Sequence, residues 1–564
     1  MMSAKKQSLV VVLCAISAAV GSEGLAPESM SKPPEDAWPT YSGDYSGQRY
    51  SPLAQINQNN VKHLTLAWVS RAVAGSGSGG GGIFASAGPP TIVGGEADQP
   101  VILGMMGGGG PARIVGAILQ VNGVLYMSSP DNAWAVDARD GTVLWHYFWK
   151  TRGGTHIGNR GMGMYRNWLY FETPDDYLVS LDAKTGEERW HKPIADLDEQ
   201  YFSTMAPIVI DRHVLVGTGD DLDSPGFLQS FDPETGELQW KFYSTPMKQG
   251  DPGLDTWPNL DRASHGGGQV WTIGAYDPET HLYIFGTGNP TPAFTPQVRE
   301  GDNLFTCSLV AVNVDTGKMA WHYQTSPHDT HDWDSAQTPV LVNGSFGGKP
   351  RKLALQAARN GYFFVLDRVT GEHLLTSKFG ESVNWSRPLN DKGQPYPDPE
   401  KNSTVAGSLV SPSNPGVTNW PPPAYSPQTG LFYVPAHETY SMYYLTETDP
   451  RGSMGLGGND EQTVGSTGSS IEALDYRTGK ISWKHTFPSP GKLGDGTGLL
   501  ATGGRLVFGG DAEGNLVAYD ATNGNPLWHS RLGKLTNAPE TYVLDGHQYL
   551  IAAAGDLIFA FCLY

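Results

Sequence analysis

Two stretches decide the fold, AVDARDGTVLW (Ala135–Trp145) and SLDAKTGEERW (Ser180–Trp190). Each runs from a small residue and a hydrophobe to Asp, a turn ending in Gly, and a Trp four residues on. The phrase returns as SFDPETGELQW ending at Trp240, AVNVDTGKMAW at Trp321, ALDYRTGKISW at Trp483 and AYDATNGNPLW at Trp528. A weaker copy, FVLDRVTGEHLL, puts Leu375 in the Trp position. The alternating residues before the turn make a half-buried strand, and the Asp or Thr with Gly supplies the positive-φ corner of a hairpin. The Trp of the next strand is large enough to wedge between neighbouring sheets. Trp145 and Trp190 stand 45 residues apart, as do Trp483 and Trp528, which is the period of a four-stranded propeller blade.

One blade cannot bury both of its faces, so blades stack radially until a ring closes. The seven copies give seven blades. An eighth assembles from the C-terminal QYLIAAAGDLIFAFCLY and the N-terminal HLTLAWVSR with its Trp68, a clasp that hides strand edges. The expected fold is therefore an all-β, eight-bladed β-propeller with Trp-docking repeats, its N- and C-terminal strands closing the last blade. A seven-bladed ring with a loose N-terminal arm stays open as the alternative. The unbroken repeat predicts one domain over residues 23–564 despite the length of the chain. The 71 Gly and 41 Pro are what dozens of turns require.

A formal net charge of −19 argues against nucleic acid, whose phosphates need basic surfaces, and suits a basic protein partner. Lys5 and Lys6 precede an apolar run from Leu9 to Val20, with Gly21 and Ser22 after it. This is the layout of a secretory signal peptide over residues 1–22 and predicts a periplasmic protein. Its removal would leave the mature chain at −21 with Cys307 and Cys562 alone, too few for a disulfide framework. No later stretch is long and apolar enough to span a membrane, and no C-x-x-C-H haem motif occurs.

Some segments break the blade rhythm. GSGSGGGGI (75–83) and MGGGG (106–110) read as loops near the first blade. Longer excursions separate Trp240 from Trp321 and Leu375 from Trp483; the second is long enough for a degenerate blade with AYSPQTGLFYV as its strand pair. Functional residues collect on such insertions, because the blades are committed to packing. The first excursion holds GTGNP (Gly286–Pro290) and leads to SPHDTHDWDSAQTP (Ser326–Pro339), which gathers Asp329, Asp332 and Asp334 with His328 and His331. A cation relieves repulsion among such carboxylates, and an oxygen-only set favours a hard metal. The bland reading is a polar turn whose aspartates cap backbone amides, with both histidines structural.

The opening DAWPTYSGDYSGQRYSPLAQINQNNVKHLTLAW, the Trp-ended repeats, GGGQVW followed by AYDP and GTGNP, and SPHDTHDWD together resemble the pyrroloquinoline quinone (PQQ)-dependent alcohol and methanol dehydrogenases, from about Trp38 to the C-terminus. The resemblance implies an eight-bladed propeller with PQQ and a metal near its axis. It implies Asn289 as an amide metal ligand, Asp332 as catalytic base and metal ligand, and Asp334 where lanthanide-dependent members carry an Asp. It places Asp221 at the family's metal-binding Glu, with Asp223 as runner-up. A lanthanide is thereby favoured, with calcium otherwise. For the cofactor it implies Trp271 against the quinone ring, Arg160 and Arg359 near its carboxylates or a quinone oxygen, and Thr204, Thr218, Gly219 and Asn419 completing the shell.

Departures from the pattern accompany these matches. The family's adjacent cysteine pair aligns with Gly154 and Thr155, so that lid over the quinone is absent. A first-blade Glu aligns near Val115 and a late Trp near Gly496; neither is kept. The resemblance implies an alcohol, polyol or sugar hydroxyl oxidised to aldehyde or ketone, with hydride passing to metal-bound PQQ, Asp332 taking the hydroxyl proton and electrons leaving to a separate cytochrome c. The losses leave a second function open, a catalytically empty propeller serving as a binding or assembly scaffold.

Overall fold

The structure is a computed structural model that describes residues 24–25, 27–76, 89–98, 112–219, 223–446, 459–487 and 497–564. The expected leader, most of both Gly-rich runs, Asp221 and Gly496 lie outside the described residues.

Turn chemistry builds the strands. In the second repeat Asp182 Oδ1 accepts from the Lys184 and Thr185 amides at 2.9 Å each, and Gly186 takes a φ of +75° at the hairpin corner. Strand pairing then slips by one residue, a bulge that leaves Ser180 opposite Trp190. The same slip stands opposite Trp145, Trp240, Trp321, Leu375, Trp483 and Trp528. Each repeat thus aims one large side chain in one direction.

The aim is met by the following repeat. Trp145 Nε1 donates to Ala183 O at 3.0 Å, Trp190 to Glu234 O at 3.2 Å, Trp240 to Val314 O at 2.8 Å, Trp321 to Arg368 O at 3.0 Å and Trp483 to Ala521 O at 3.1 Å. Trp528 donates to Leu64 O and Trp68 to Ala138 O, both at 3.2 Å. Leu375 lacks the donor but lies against Gly479, as Trp145 lies against Gly186.

The described strands form eight sheets of four or five strands. We number them 1 to 7 by the repeat they hold, from Trp145 in sheet 1 to Trp528 in sheet 7; sheet 8 joins Thr65–Arg71 to Leu557–Cys562, His547–Ala554 and Glu540–Leu544. The molecule is an all-β propeller with, among the described residues, a single five-residue α-helix, Leu260–Ser264. Ala424–Ser426 and Leu431–Leu445 pair inside sheet 6. AYSPQTGLFYV therefore supplies early strands of the blade ending at Trp483 and not a degenerate blade of its own. The core lies between facing sheets, where residues such as Phe171, Tyr283 and Phe363 are wholly buried, each worth roughly 1.5–3 kcal/mol of transfer free energy.

The segment Gly24–Ser51 touches every sheet. Leu25 N donates to Arg166 O beside sheet 2 at 3.0 Å and Trp38 N to Gln120 O in sheet 1 at 2.8 Å. Tyr45 Oη donates to Val209 O in sheet 3 at 2.7 Å. The carbonyls of Tyr45, Ser46, Gln48 and Arg49 accept from Tyr276, Leu341, Tyr425 and Ala501, in sheets 4, 5, 6 and 7. Arg49 finally reaches Glu540 of sheet 8, Nη2 to Oε1 at 3.5 Å.

Candidate active site

In an antiparallel pair the start of one strand and the end of the next share an end of the sheet. Arg160, Thr204, Trp271, Asp332, Asp334 and Asn419 all precede the opening strand of their sheet or strand pair, Gly163–Tyr165, Ile208–Ile210, Ala275–Asp277, Val340–Phe346 and Ala424–Ser426. Thr218, Asn289 and Arg359 follow the next strands, His213–Gly217, Leu282–Gly286 and Lys349–Ala357. Topology alone brings most of the expected residues to one end.

There Asp332 and Asp334 share a guanidinium. Arg359 Nη1 donates to Asp334 Oδ2, and Nη2 to Asp332 Oδ2 at 3.3 Å, with all three side chains nearly buried. Asp334 Oδ1 also accepts from the backbone N–H of Asn289 at 2.6 Å. Burial raises the Asp334 carboxyl above its usual range, and Arg359 pulls against that rise. Burial is the largest single influence on the Arg359 cation and works against it, but the charges around it, Asp334 first and then Asp332 and Asp329, together raise its pKa.

The loop holding Asp332 is organised by Asp329. Its Oδ2 accepts from the amides of His331, Asp332 and Trp333 at 3.3, 2.8 and 3.2 Å, so Asp332 sits at a φ of +62°. Arg299, wholly buried, clasps the Asp329 carbonyl and the Asn303 side chain beneath. Asp329 is thus the capping aspartate of the bland reading, whereas Asp332 and Asp334 turn to Arg359. His328 bonds to Gly301 O at 2.7 Å, and His331 bonds to Lys401 O at 2.9 Å while stacking on Trp333. Both histidines are structural.

A second cluster adjoins the first. The Arg160 guanidinium lies 4.6 Å from the Trp271 ring centroid and 5.1 Å from that of Trp420. It donates through Nη1 to the Thr204 hydroxyl and to Trp271 O, the latter at 3.3 Å. Among the described residues its Nε is buried without a hydrogen-bond partner, and no carboxylate lies within ion-pair distance. Burial lowers its pKa to about 10, with Tyr41 and Glu172 opposing.

The remaining expected residues stand differently. Thr218 donates to Gln269 Oε1 at 3.1 Å, and Gly219 pairs with Phe202 so closely that a Cβ would lie 2.6 Å from its ring. Asn419 holds its own turn, donating to Pro415 O at 2.8 Å and accepting from Trp420 N at 2.8 Å. Asp223 is half-buried at the head of the segment leading into Phe227–Phe231. Gly154 has a φ of +86° and packs on the Pro174 carbonyl, where a Cβ would come within 1.8 Å. A cysteine at this position would require the backbone to shift. Trp420 and Asn414 are members of the site that the sequence reading passed over; Trp420 carried a signal, because like Trp271 it stands off the repeat.

The residues fit an anionic, flat cofactor with a hard cation. A buried guanidinium with an orphaned Nε calls for a carboxylate, and Arg359 carries a second orphaned Nε. Asp332, Asp334 and the Asn289 side-chain amide offer oxygens, the donor type a hard cation takes; Asn289 spends its Nδ2 on Pro290 O at 3.1 Å, and among the described residues its Oδ1 accepts no hydrogen bond. Among the described residues no three His, Cys, Asp or Glu side chains gather into a metal-sized group. The described donors number two carboxylates and one amide, and Asp221 is not among them.

Fold and site together define a propeller enzyme with an acid–guanidinium centre at one end. The model of the glucose/ethanol/alcohol dehydrogenase β-propeller domain (PQQ) matches residues 38–102 and 112–378, and that of outer membrane protein assembly factor BamB matches 467–561. The quinoprotein alcohol dehydrogenase PedH of Pseudomonas putida is 34% identical, covering 90% of this chain and 84% of that protein. The quinohemoprotein alcohol dehydrogenase ADH-IIG of Pseudomonas putida is also 34% identical, covering 92% and 72%. A europium-containing methanol dehydrogenase superposes with a TM-score of 0.80 at 25% identity over 95% of this chain and 99% of that one. The quinohemoprotein alcohol dehydrogenase from Comamonas testosteroni gives 0.80 at 29% identity over 94% and 80%. The chain belongs to the PQQ-dependent alcohol dehydrogenase family.

Proposed function

We propose that this chain oxidises an alcohol, polyol or sugar hydroxyl to an aldehyde or ketone where Arg160, Trp271, Asn289, Asp332, Asp334 and Arg359 converge. The observation that carries the reading is Arg160, a buried cation between two indoles with no carboxylate partner among the described residues. Trp271 offers a flat face and Arg160 a charge, which together suit a planar polycarboxylate such as PQQ. When bound, PQQ and its metal supply the electron-pair acceptor for the hydride and the Lewis acid that strengthens it.

Asp332 takes the substrate hydroxyl proton on its carboxylate, which Arg359 and Asn414 orient. Asp332, Asp334, Asn289 and Asp221 hold the metal, with Asp223 as substitute for Asp221. The extra carboxylate of Asp334 favours a trivalent lanthanide over calcium, since each added negative oxygen is worth more against a higher charge. Arg359 pairs with the cofactor or with the aspartates according to occupancy. Thr204, Thr218, Gly219 and Asn419 complete the cofactor shell, Thr218 and Asn419 through backbone groups because their side chains bond to Gln269 and Pro415, and Gly219 by its lack of a side chain, which keeps the backbone close.

The eight sheets are taken as eight blades of one closed, Trp-docked ring forming a single domain over 23–564. In support, the chain from Tyr45 to Arg49 meets sheets 3 to 8 in order. Residues 1–22 serve as a leader to the periplasm, and the acidic chain hands electrons to a basic cytochrome c. The scaffold reading draws on the missing lid at Gly154 and Thr155, but an emptied site has no use for a buried Arg160 that has no carboxylate partner among the described residues. Purified protein mixed with PQQ and either calcium or lanthanum should show quinone absorbance and reduce an artificial dye with some alcohol in a panel. Neither signal under any metal would sink the enzyme.

A further inference from the structure

Asn414 stands beside the carboxylate read above as proton acceptor. Its Nδ2 donates to Asp332 Oδ2 at 2.5 Å, its carbonyl accepts from Arg359 Nη2 at 2.8 Å, and its N–H donates to Glu461 Oε1 at 2.9 Å. Glu461 comes from Asn459–Asp475, the strand of sheet 6 whose partner Leu431–Leu445 runs far beyond the length of a blade strand. Both Asn414 and Glu461 are half-buried, unlike Arg359 and Asp334 behind them. They form the outer side of the acid–guanidinium centre.

The donor and acceptor count of this pair matters. An amide nitrogen carries two protons and a carboxylate two oxygens. Asn414 spends one proton on Asp332, and Glu461 spends one oxygen on Asn414 N. Among the described residues, the second Nδ2 proton of Asn414 and the other oxygen of Glu461 make no further hydrogen bond, and the two side chains stand next to each other beside Asp332. An alcohol that gives its proton to Asp332 brings the next carbon of its skeleton toward these two groups. A methyl group there leaves a half-buried carboxylate and an amide desolvated without partners; a hydroxyl satisfies both, donating to Glu461 and accepting from Asn414. Hydrogen bonds to charged groups are worth about 1.5–3 kcal/mol, or roughly 10- to 100-fold in selectivity.

We propose that Asn414 and Glu461 form a subsite for a second hydroxyl, so that the enzyme prefers vicinal diols and polyols to alkanols of equal length. This rests on the reading of Asp332 as the proton acceptor. The reaction would remain one two-electron oxidation, with bound PQQ supplying the hydride acceptor for the carbinol C–H: Asp332 takes the O–H proton, and the second hydroxyl is bound unchanged.

Matched substrates decide it. With the PQQ- and lanthanum-loaded protein and a dye acceptor, kcat/KM for 1,2-propanediol and glycerol should exceed that for 1-propanol about tenfold or more, chiefly through KM. Glu461→Leu and Asn414→Leu should bring the ratio toward one, and Glu461→Gln should recover part of it. Independently, ligand-observed saturation-transfer NMR on an equimolar mixture should favour the diol, and Glu461→Leu should remove that bias. Oxidation of alcohols with a diol-to-alkanol ratio at or below one overturns the subsite and leaves the enzyme standing. Inactivity on every alcohol in the presence of bound PQQ overturns the catalytic reading and the subsite with it. If the leucine variants fail to fold, the wild-type ratio and the NMR bias still decide.

Discussion

The Arg160 guanidinium lies 4.6 Å from the Trp271 ring centroid and carries a buried Nε without a hydrogen-bond partner. A desolvated cation held on an indole face is costly unless an anion joins it. Arg160→Ala should therefore weaken PQQ binding by about 10- to 100-fold, the value of one or two charge-assisted hydrogen bonds, as followed by absorbance titration. Unchanged affinity would remove Arg160 from the cofactor site.

Asp334 provides the test of the metal. Asp334→Ala should abolish lanthanum-supported dye reduction and lower lanthanum affinity measured by competition with a chelating dye. It also leaves Arg359 with Asp332 as its remaining carboxylate, so a modest fall in melting temperature should accompany the loss. Lanthanum activity that survives the substitution would make the lanthanide assignment wrong while sparing the enzyme.

The blades were legible in the sequence because their determinants are local: an Asp cap, a positive-φ Gly and a Trp at fixed offsets. Even the copy with Leu375 declared itself, since the turn and bulge persist without the indole. The centre was legible in part. Asp332 and Asp334 were picked out by their motif and meet Arg359 in the fold, and Asp329 separates from them only because three amides converge on its carboxylate. Asn414 and Glu461 lie 47 residues apart on segments outside the repeat, so no spacing marks their encounter. The all-sheet contacts of Gly24–Ser51 were hidden for the same reason, being hydrogen bonds made mostly by backbone groups across hundreds of residues.

Arg49 and Glu540 link the N-terminal segment to sheet 8, both with fully buried side chains. Arg49 also donates to the carbonyls of Leu499, Tyr41 and Pro539 at 3.0, 2.6 and 2.8 Å. Arg49→Met should destabilise the protein by about 1–3 kcal/mol for each of these buried carbonyls left without its donor. Burial pushes Glu540 up to about 8 against the pull of Arg49. A raised carboxyl pKa stabilises the fold fully below the unfolded value near 4.5 and loses that contribution as pH rises through about 8. Urea titrations should therefore show wild-type stability declining across that window more steeply than in Glu540→Gln.

His146 works in the opposite sense. It is buried in sheet 1, stacked on Trp134 with 5.0 Å between centroids and bonded to Asn132 Oδ1 at 2.9 Å. Burial lowers its pKa from 6.5 to about 4. A neutral buried imidazole contributes stability that is present above pH 6.5 and lost as pH falls toward 4, up to about 3 kcal/mol. His146→Asn should flatten the acid side of the stability profile, and an unaltered profile would show that this imidazole is not what titrates.

The central claim is that Asp332, Asp334 and Asn289 ligate a metal beside a quinone lying on Trp271. Anomalous diffraction from crystals grown with PQQ and lanthanum measures this directly. One strong lanthanum peak is expected within coordination distance of the oxygens of Asp332, Asp334 and Asn289, with planar density over the Trp271 indole. A lanthanum peak elsewhere, or none together with an empty Trp271 face, would contradict it.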